Sequence, residues 1–193
     1  MLKINLVTSN LGKVEEFRNY LDGKAIINHI RHEYRELRSD SLEDIAKDSA
    51  KRMAEHFKLP VVVEDSGLFI EALKGFPGTC SSYIHKRIGL NGIFKLMEGI
   101  ENRKAFYKSA VAYCEPDKEP VSFLGDEEVK ISTEIKGSFG FGHDPIVIPN
   151  GYEKTYGEMP EFTNIKKFRR DAVEKLYNYL KKNRDLSITH LTN

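Results

Sequence analysis

Hydrophobic positions switch between two spacings along the first third of the chain. Residues 3–9, KINLVTS, and 25–30, AIINHI, are short apolar runs of the kind that forms strands. Between them Val14, Phe17 and Leu21 recur at helical spacing behind Asn10, a residue type that caps helices. Ser41 and Asp44 make an S-x-x-D capping pattern, and Leu42, Ile45, Ala46, Ala50, Met53, Ala54 and Phe57 follow on one helical face. Pro60 separates that helix from Val61-Val62-Val63, a β-branched run suited to a strand buried on both faces. The order β-α-β-α-β predicts an α/β sheet with parallel pairing.

The pattern lengthens in the second half. Residues 104–115 and 120–135 are long strand candidates separated by the turn PDKE, which predicts an antiparallel extension of the sheet. A glycine-rich loop, KGSFGFGHDP (136–145), precedes a short strand, IVI. Phe168, Ala172, Leu176, Tyr179 and Leu180 then define a last amphipathic helix over 164–183. No internal repeat or low-complexity linker interrupts the chain.

Composition narrows the function classes. A length of 193 residues, with 40% hydrophobic and 31% charged positions, suits one domain or two closely packed lobes. Lys and Arg total 30 against 29 Asp and Glu, so the overall charge argues for no stable nucleic-acid partner. No apolar run reaches the length of a membrane helix, and Cys80 and Cys114 have no paired spacing; a soluble, cytoplasmic protein is expected.

The chemistry-bearing residues form few clusters. His29, His32, His56, His85, His143 and His190 lack zinc-site spacing, and no serine occupies a G-x-S-x-G elbow. Glu64 and Asp65, directly after the valine run, read either as a metal-binding acid pair suited to Mg²⁺ or as a strand-end turn facing water. TSNLGK (8–13) puts a helix N-terminus and Lys13 after the first strand, an anion site or simply a capped helix start. It is not a Walker A loop, since Val7 stands where the first glycine belongs and Val14 follows the lysine. In a parallel sheet these two segments share one edge, where α/β proteins bind ligands. Phe139, Phe141, His143 and Tyr152, in and beyond the glycine-rich loop, offer stacking faces for a base or fill a core. Residues 166–184 carry eight basic side chains against Asp171 and Glu174, either a solvated helix face or a nucleic-acid surface.

Four segments taken in order resemble the inosine triphosphate pyrophosphatases, the non-canonical purine or XTP/dITP diphosphatases. TSNLGKVEE is similar to the family's T-x-N-x-x-K-x-x-E opening, through Thr8, Asn10, Lys13 and Glu16. VVVEDSGLFIEALKGFPGTCS resembles its E-D-S-G-L segment with A-L-x-G-x-P-G and serine. GFGHDPIVIP resembles G-F-G-Y-D-P-I-F, and TYGEM resembles T-x-A-E-M. The resemblance implies an elongated mixed α/β fold of residues 1–193, with two lobes around a central cleft and usually a homodimer. It implies hydrolysis of ITP, dITP and XTP to the monophosphate and pyrophosphate, with Mg²⁺ or Mn²⁺ as cofactor.

By the same resemblance Asp65 is the proton acceptor and, with Glu36, a metal ligand. Thr8, Ser9, Asn10, Leu11, Gly12 and Lys13 hold the triphosphate, Lys51 faces the phosphates, and Ser66 touches the substrate. Phe141, Gly142, His143 and Asp144 border the base. Apart from the resemblance, Glu64 is expected to support Asp65, and Gly67 to let the chain turn away after the acids. Two departures stand out: His143 replaces tyrosine, and the family's late lysine and His-Arg pair fall on Asn164 and Arg169-Arg170. A pyrophosphatase of modified pyrimidine nucleotides and a nucleotide- or RNA-binding module are the alternatives.

Overall fold

The computed structural model describes residues 1–189, which fold around one seven-stranded sheet. Strands β1 (Leu2–Val7) and β2 (Ala25–Ile30) run parallel, Leu2 opposite Ala25 through Val7 opposite Ile30, with helix α1 (Leu11–Tyr20) as the crossover. After helix α2 (Leu42–Phe57), strand β3 (Val61–Ile70) lies parallel to β1 on its other side, Leu6 opposite Val62. The expected β-α-β-α-β unit is present. Strands β5 (Lys104–Cys114) and β6 (Val121–Ile131) then extend the sheet antiparallel, and β7 (Val147–Pro149) pairs with the end of β6. Strand β4 (Pro77–Gly78) pairs with β3 at Leu68 and Phe69, completing seven strands in the order β2-β1-β3-β5-β6-β7 with β4 beside β3.

Local chemistry sets the helix starts. The Asn10 side chain accepts from the N–H groups of Gly12 and Lys13, and Ser41 Oγ accepts from Asp44 N–H. α2 packs Leu42, Ala46, Ala50, Met53 and Ala54 on Val61, Val63, Ala110 and Ala112 of one sheet face. On the other face, Val14 and Phe17 of α1 and Ala172, Val173 and Leu176 of helix α5 (Phe168–Thr189) cover Val62 and Val111. A third cluster, at the far ends of β3, β5 and β6, joins Leu68, Ile70, Tyr107 and Val129 to Ile93 and Met97 of helix α3 (Ser81–Leu96) and its C-cap.

Four expectations are corrected. β3 does not end at Val63, because β5 pairs with it from Val61 through Ile70; Glu64 and Asp65 are therefore mid-strand. Gly67 is not a turn: a Cβ there would lie 2.2 Å from the Gly78 carbonyl oxygen, so glycine lets β4 approach. The second long strand stops at Ile131, where Ser132 N–H donates to Ile146. The last helix begins at Phe168, not 164. A short helix α4 (Phe162–Ile165) precedes it, Lys166 is extended, and Glu127 Oε2 accepts from the N–H groups of Lys167 and Phe168. Among the described residues no helix is long and apolar enough to cross a membrane.

Candidate active site

β1 stops at Val7 while β3 runs on, so beyond Val63 the edge of β3 opens into a cleft of about 1150 Å³. Lys13, in the first turn of α1, reaches this edge. Its ammonium donates to the Glu64 carbonyl oxygen at 2.8 Å and lies 2.8 Å from Glu64 Oε2. The lysine thus occupies a backbone acceptor at the level where β1 has ended.

Successive strand residues point to opposite faces, which separates the two acids. Glu64 shares the face of Val62, towards α1 and α5, and its Oε1 accepts from Ser109 Oγ at 2.7 Å and Arg169 Nε at 2.9 Å. Burial alone would raise its pKa, but Arg169 and Lys13 hold it at about 2. Asp65 shares the face of Val61 and Val63, towards α2. Its Oδ1 accepts from Ser66 N–H at 2.9 Å, and its buried Oδ2 has no partner among the described residues. Burial pushes Asp65 up to about 7; Lys13 opposes the rise, and Glu36 and Glu64 add to it.

Behind Glu64 lies a closed ion-pair network. Lys166 Nζ donates to Glu16 Oε1 at 2.9 Å and to Asp144 Oδ2 at 2.8 Å, and Arg169 pairs with Glu16 as well as Glu64. Arg169 also donates to Ser66 Oγ at 2.8 Å. Lys166 is 1% exposed and Arg169 2%, so each charge depends on its partners rather than on water. Lys13, Lys166 and Arg169 are matched by Glu16, Glu64 and Asp144. The Phe141 ring lies below both Lys166 and Arg169, 5.1 and 5.5 Å from its centroid. A Cβ on Gly12 would meet that ring at 2.4 Å, so glycine lets the first helix close on the 136–145 loop. Asp144 fixes the loop by accepting from Phe141 N–H at 2.8 Å and from Tyr107 Oη at 3.2 Å.

Two further elements complete the walls. Residues 31–40 cross the opening without regular structure, bringing Tyr34, Glu36 and Arg38 to it. α3 contributes Ser82, His85 and Lys86. His85 and His143 meet edge to face at 5.1 Å, and neither Nε2 has a hydrogen-bond partner among the described residues. Burial holds His143 down at about 3, so its imidazole is neutral.

The cleft gathers Thr8, Ser9, Asn10, Lys13, Glu36, Asp65, Ser66, Phe141, Gly142, His143, Asp144 and Arg169 from the sequence prediction. Leu11 points to solvent, and Gly12 supports the wall through Phe141. Lys51 lies outside the cleft lining and is ion-paired with exposed Glu119 at 2.6 Å. Arg170 turns from the cleft to the Asn164 carbonyl, so the two arginines are not a pair and Asn164 is exposed. Phe139 and Tyr152 are likewise exposed. His190 lies outside the described residues. Lys166 and Glu16 were missed as site residues; the recurrence of Glu16 in the opening pattern was the available signal.

Glu36 and Asp65 are the donors that fit a hard divalent cation, with Asp65 Oδ2 buried, unpartnered and on the cleft wall. Among the described residues no three His, Cys, Asp or Glu side chains converge. Two carboxylates, completed by water and phosphate oxygens, match what Mg²⁺ accepts.

Comparison with known proteins agrees with this architecture. The model of the Ham1 family matches residues 4–179. A dITP/XTP pyrophosphatase of Thermococcus kodakarensis is 45% identical over 184 residues, 94% of this chain and 99% of that one. One from Methanopyrus kandleri is also 45% identical, over 94% of this chain and 98% of its own. Among solved structures, a HAM1 protein from Coxiella burnetii superposes with a TM-score of 0.81 at 27% identity, covering 94% of this chain and all of its own. With a family model over most of its length and relatives this similar from end to end, the chain belongs to the Ham1 family.

Proposed function

We propose that this protein hydrolyses non-canonical purine nucleoside triphosphates (ITP, dITP and XTP) to the nucleoside monophosphate and pyrophosphate. The observation that carries the reading is Asp65, a buried carboxyl with one free oxygen and a pKa near neutrality, on a cleft lined by both the TSNLGK turn and the GFGHD loop. Mg²⁺, or Mn²⁺, held by Glu36 and Asp65, supplies charge neutralisation for the phosphates when bound.

Asp65, whose Oδ2 is free of any hydrogen-bond partner among the described residues, accepts the proton of the attacking water. The water oxygen forms a bond to the α-phosphorus, the α–β bridging P–O bond breaks, and pyrophosphate leaves with that electron pair. Glu64 keeps Lys13 at the strand edge, and Ser66 is held by Arg169 beside the reacting group. At the base end Phe141 supplies the stacking face. Lys166 and Arg169 bring N–H donors above it, complementary to a 6-oxo group and not to the 6-amino group of adenine. The relatives' dITP/XTP pyrophosphatase activity supports the same substrate class.

Residues 1–193 act in this reading as one catalytic domain, with lobes on either side of the cleft, assembled as a homodimer. A cytoplasmic location fits two cysteines that are both free. The test is pyrophosphate release from ITP, XTP, dITP, GTP, ATP and dUTP, with and without Mg²⁺. ITP, XTP and dITP lead, activity requires metal, and Asp65→Asn lowers turnover by about two orders of magnitude or more. Preference for dUTP, or full activity in the Asp65→Asn variant, removes the proposal.

A further inference from the structure

The cations lining the cleft fall into two classes. Lys13, Lys166 and Arg169 are engaged by Glu16, Glu64 and Asp144, so together they present little uncompensated charge to a ligand. The N-terminus of α1 is committed as well, since Asn10 Oδ1 takes the N–H groups of Gly12 and Lys13 at 2.9 and 3.3 Å. The segment expected to cradle phosphates is thus closed on itself on this side. Two lining cations, Arg38 and Lys86, have no carboxylate partner among the described residues.

They come from different elements that meet. Arg38 stands two residues after Glu36, on the segment that crosses the opening. The adjacent Ser39 accepts, through its carbonyl, a hydrogen bond from Thr79 Oγ1 at 2.8 Å, just before α3 begins. Lys86 projects from α3 into the same cleft. The same cleft holds further groups without hydrogen-bond partners among the described residues. His143 Nε2, in a residue 5% exposed, lines the cavity, and His85 Nε2 on α3 abuts it. Ser82 adds a hydroxyl, and no side chain caps the first turn of α3. Unmatched cations and donors on the wall of a cleft call for a multiply charged anion.

We propose that Arg38 and Lys86 form a two-sided grip on the terminal phosphates of the substrate, retaining them as the pyrophosphate that is released. The proposal rests on the triphosphate reading above and gives the segment 31–40 a double task. Glu36 serves the metal and Arg38 the leaving group, so one piece of chain responds to both. Lys86 closes from the opposite wall.

Titration calorimetry with inorganic pyrophosphate and Mg²⁺ tests this on the full chain. The set comprises Arg38→Met, Lys86→Met and, as a charge control on the exposed part of α3, Lys95→Met. Each of the first two weakens pyrophosphate binding about tenfold to a hundredfold, the worth of one charge-assisted hydrogen bond. Lys95→Met binds as wild type, and inosine monophosphate binding is unchanged in all three. Arg38→Lys and Lys86→Arg recover most of the loss, and the KM for ITP follows the pyrophosphate affinity while kcat moves less. Wild-type pyrophosphate binding in both methionine variants, or equal loss of monophosphate binding, overturns the grip; so does a wild type that binds no pyrophosphate. If pyrophosphate binding responds as expected but no purine triphosphate is hydrolysed, the anion site stands and the enzymatic reading fails.

Discussion

Asp65 should destabilise the metal-free protein, and replacing it by asparagine should reveal by how much. The carboxyl moves from its ordinary 3.8 to about 7 in the fold. At about 1.4 kcal/mol for each tenfold change, the ionised form is about 4 kcal/mol less favourable folded than unfolded. The sign follows from proton counting. Between pH 3.8 and 7 the folded state binds more protons than the unfolded one, so this group's contribution declines as pH rises through that window and is level above it. An asparagine side chain cannot ionise and escapes the decline. The Asp65→Asn variant should therefore match wild type near pH 4 and exceed it by up to about 4 kcal/mol at pH 8.5.

Urea denaturation with a chelator present, at pH 4.5, 6 and 8.5, measures the difference. Glu64 provides the opposite control, because its pKa falls from 4.5 to about 2. Its contribution is present above pH 4.5 and lost as pH falls through 2, so Glu64→Gln costs about 3 kcal/mol at neutral pH. Adding Mg²⁺ at pH 8.5 should stabilise wild type and leave the Asp65→Asn variant almost unmoved. An Asp65→Asn variant that is no more stable than wild type at pH 8.5, or whose advantage does not grow with pH, refutes the assignment of a raised pKa to this carboxyl.

Three further outcomes follow from the same geometry. Arg169→Met leaves Glu16 and Glu64 buried with fewer partners and should cost roughly 3–5 kcal/mol in chemical denaturation; a loss under about 1 kcal/mol would mean that the network is solvated. Gly67→Ala sets a Cβ 2.2 Å from the Gly78 carbonyl and should cost about 1–3 kcal/mol, with β4 losing amide-exchange protection before β5 does. Lys51→Met should leave the KM for ITP and the melting temperature unchanged, because this exposed lysine pairs with Glu119 away from the cleft; a large rise in KM would return it to the phosphate site.

The sequence made the first half of the fold legible because its two spacings differ clearly and its caps are local. Asn10 and Ser41 act within three residues of themselves, and no distant partner is needed to read them. α3 escaped notice for the converse reason: only Ser81 and Ile93 are buried along it, and Gly89, with φ +62°, interrupts it. The acid pair with its serine and glycine looked like a strand end because each residue alone disfavours a strand. A ten-residue antiparallel pairing with β5, in which these four residues meet partners more than 40 positions away, outweighs those preferences. Lys166 was hidden in a basic run that reads as a solvated face. Its inward turn depends on Glu16, which lies 150 residues away in sequence.

The mid-strand position explains how two neighbouring acids coexist at one opening. A turn would let both carboxylates swing towards the same water, and their pKa values would remain similar. A strand fixes them on opposite faces. Glu64 meets Lys13 and Arg169 and stays ionised, while Asp65 meets burial and the charges of Glu36 and Glu64 and stays near neutrality. The two acids thus share one cation with opposite results: Lys13 pairs with Glu64, and at Asp65 it opposes the rise without cancelling it, because burial dominates there. The ion-pair network behind the sheet holds Glu64 ionised and in place, and at Asp65 burial, Glu36 and Glu64 together outweigh Lys13.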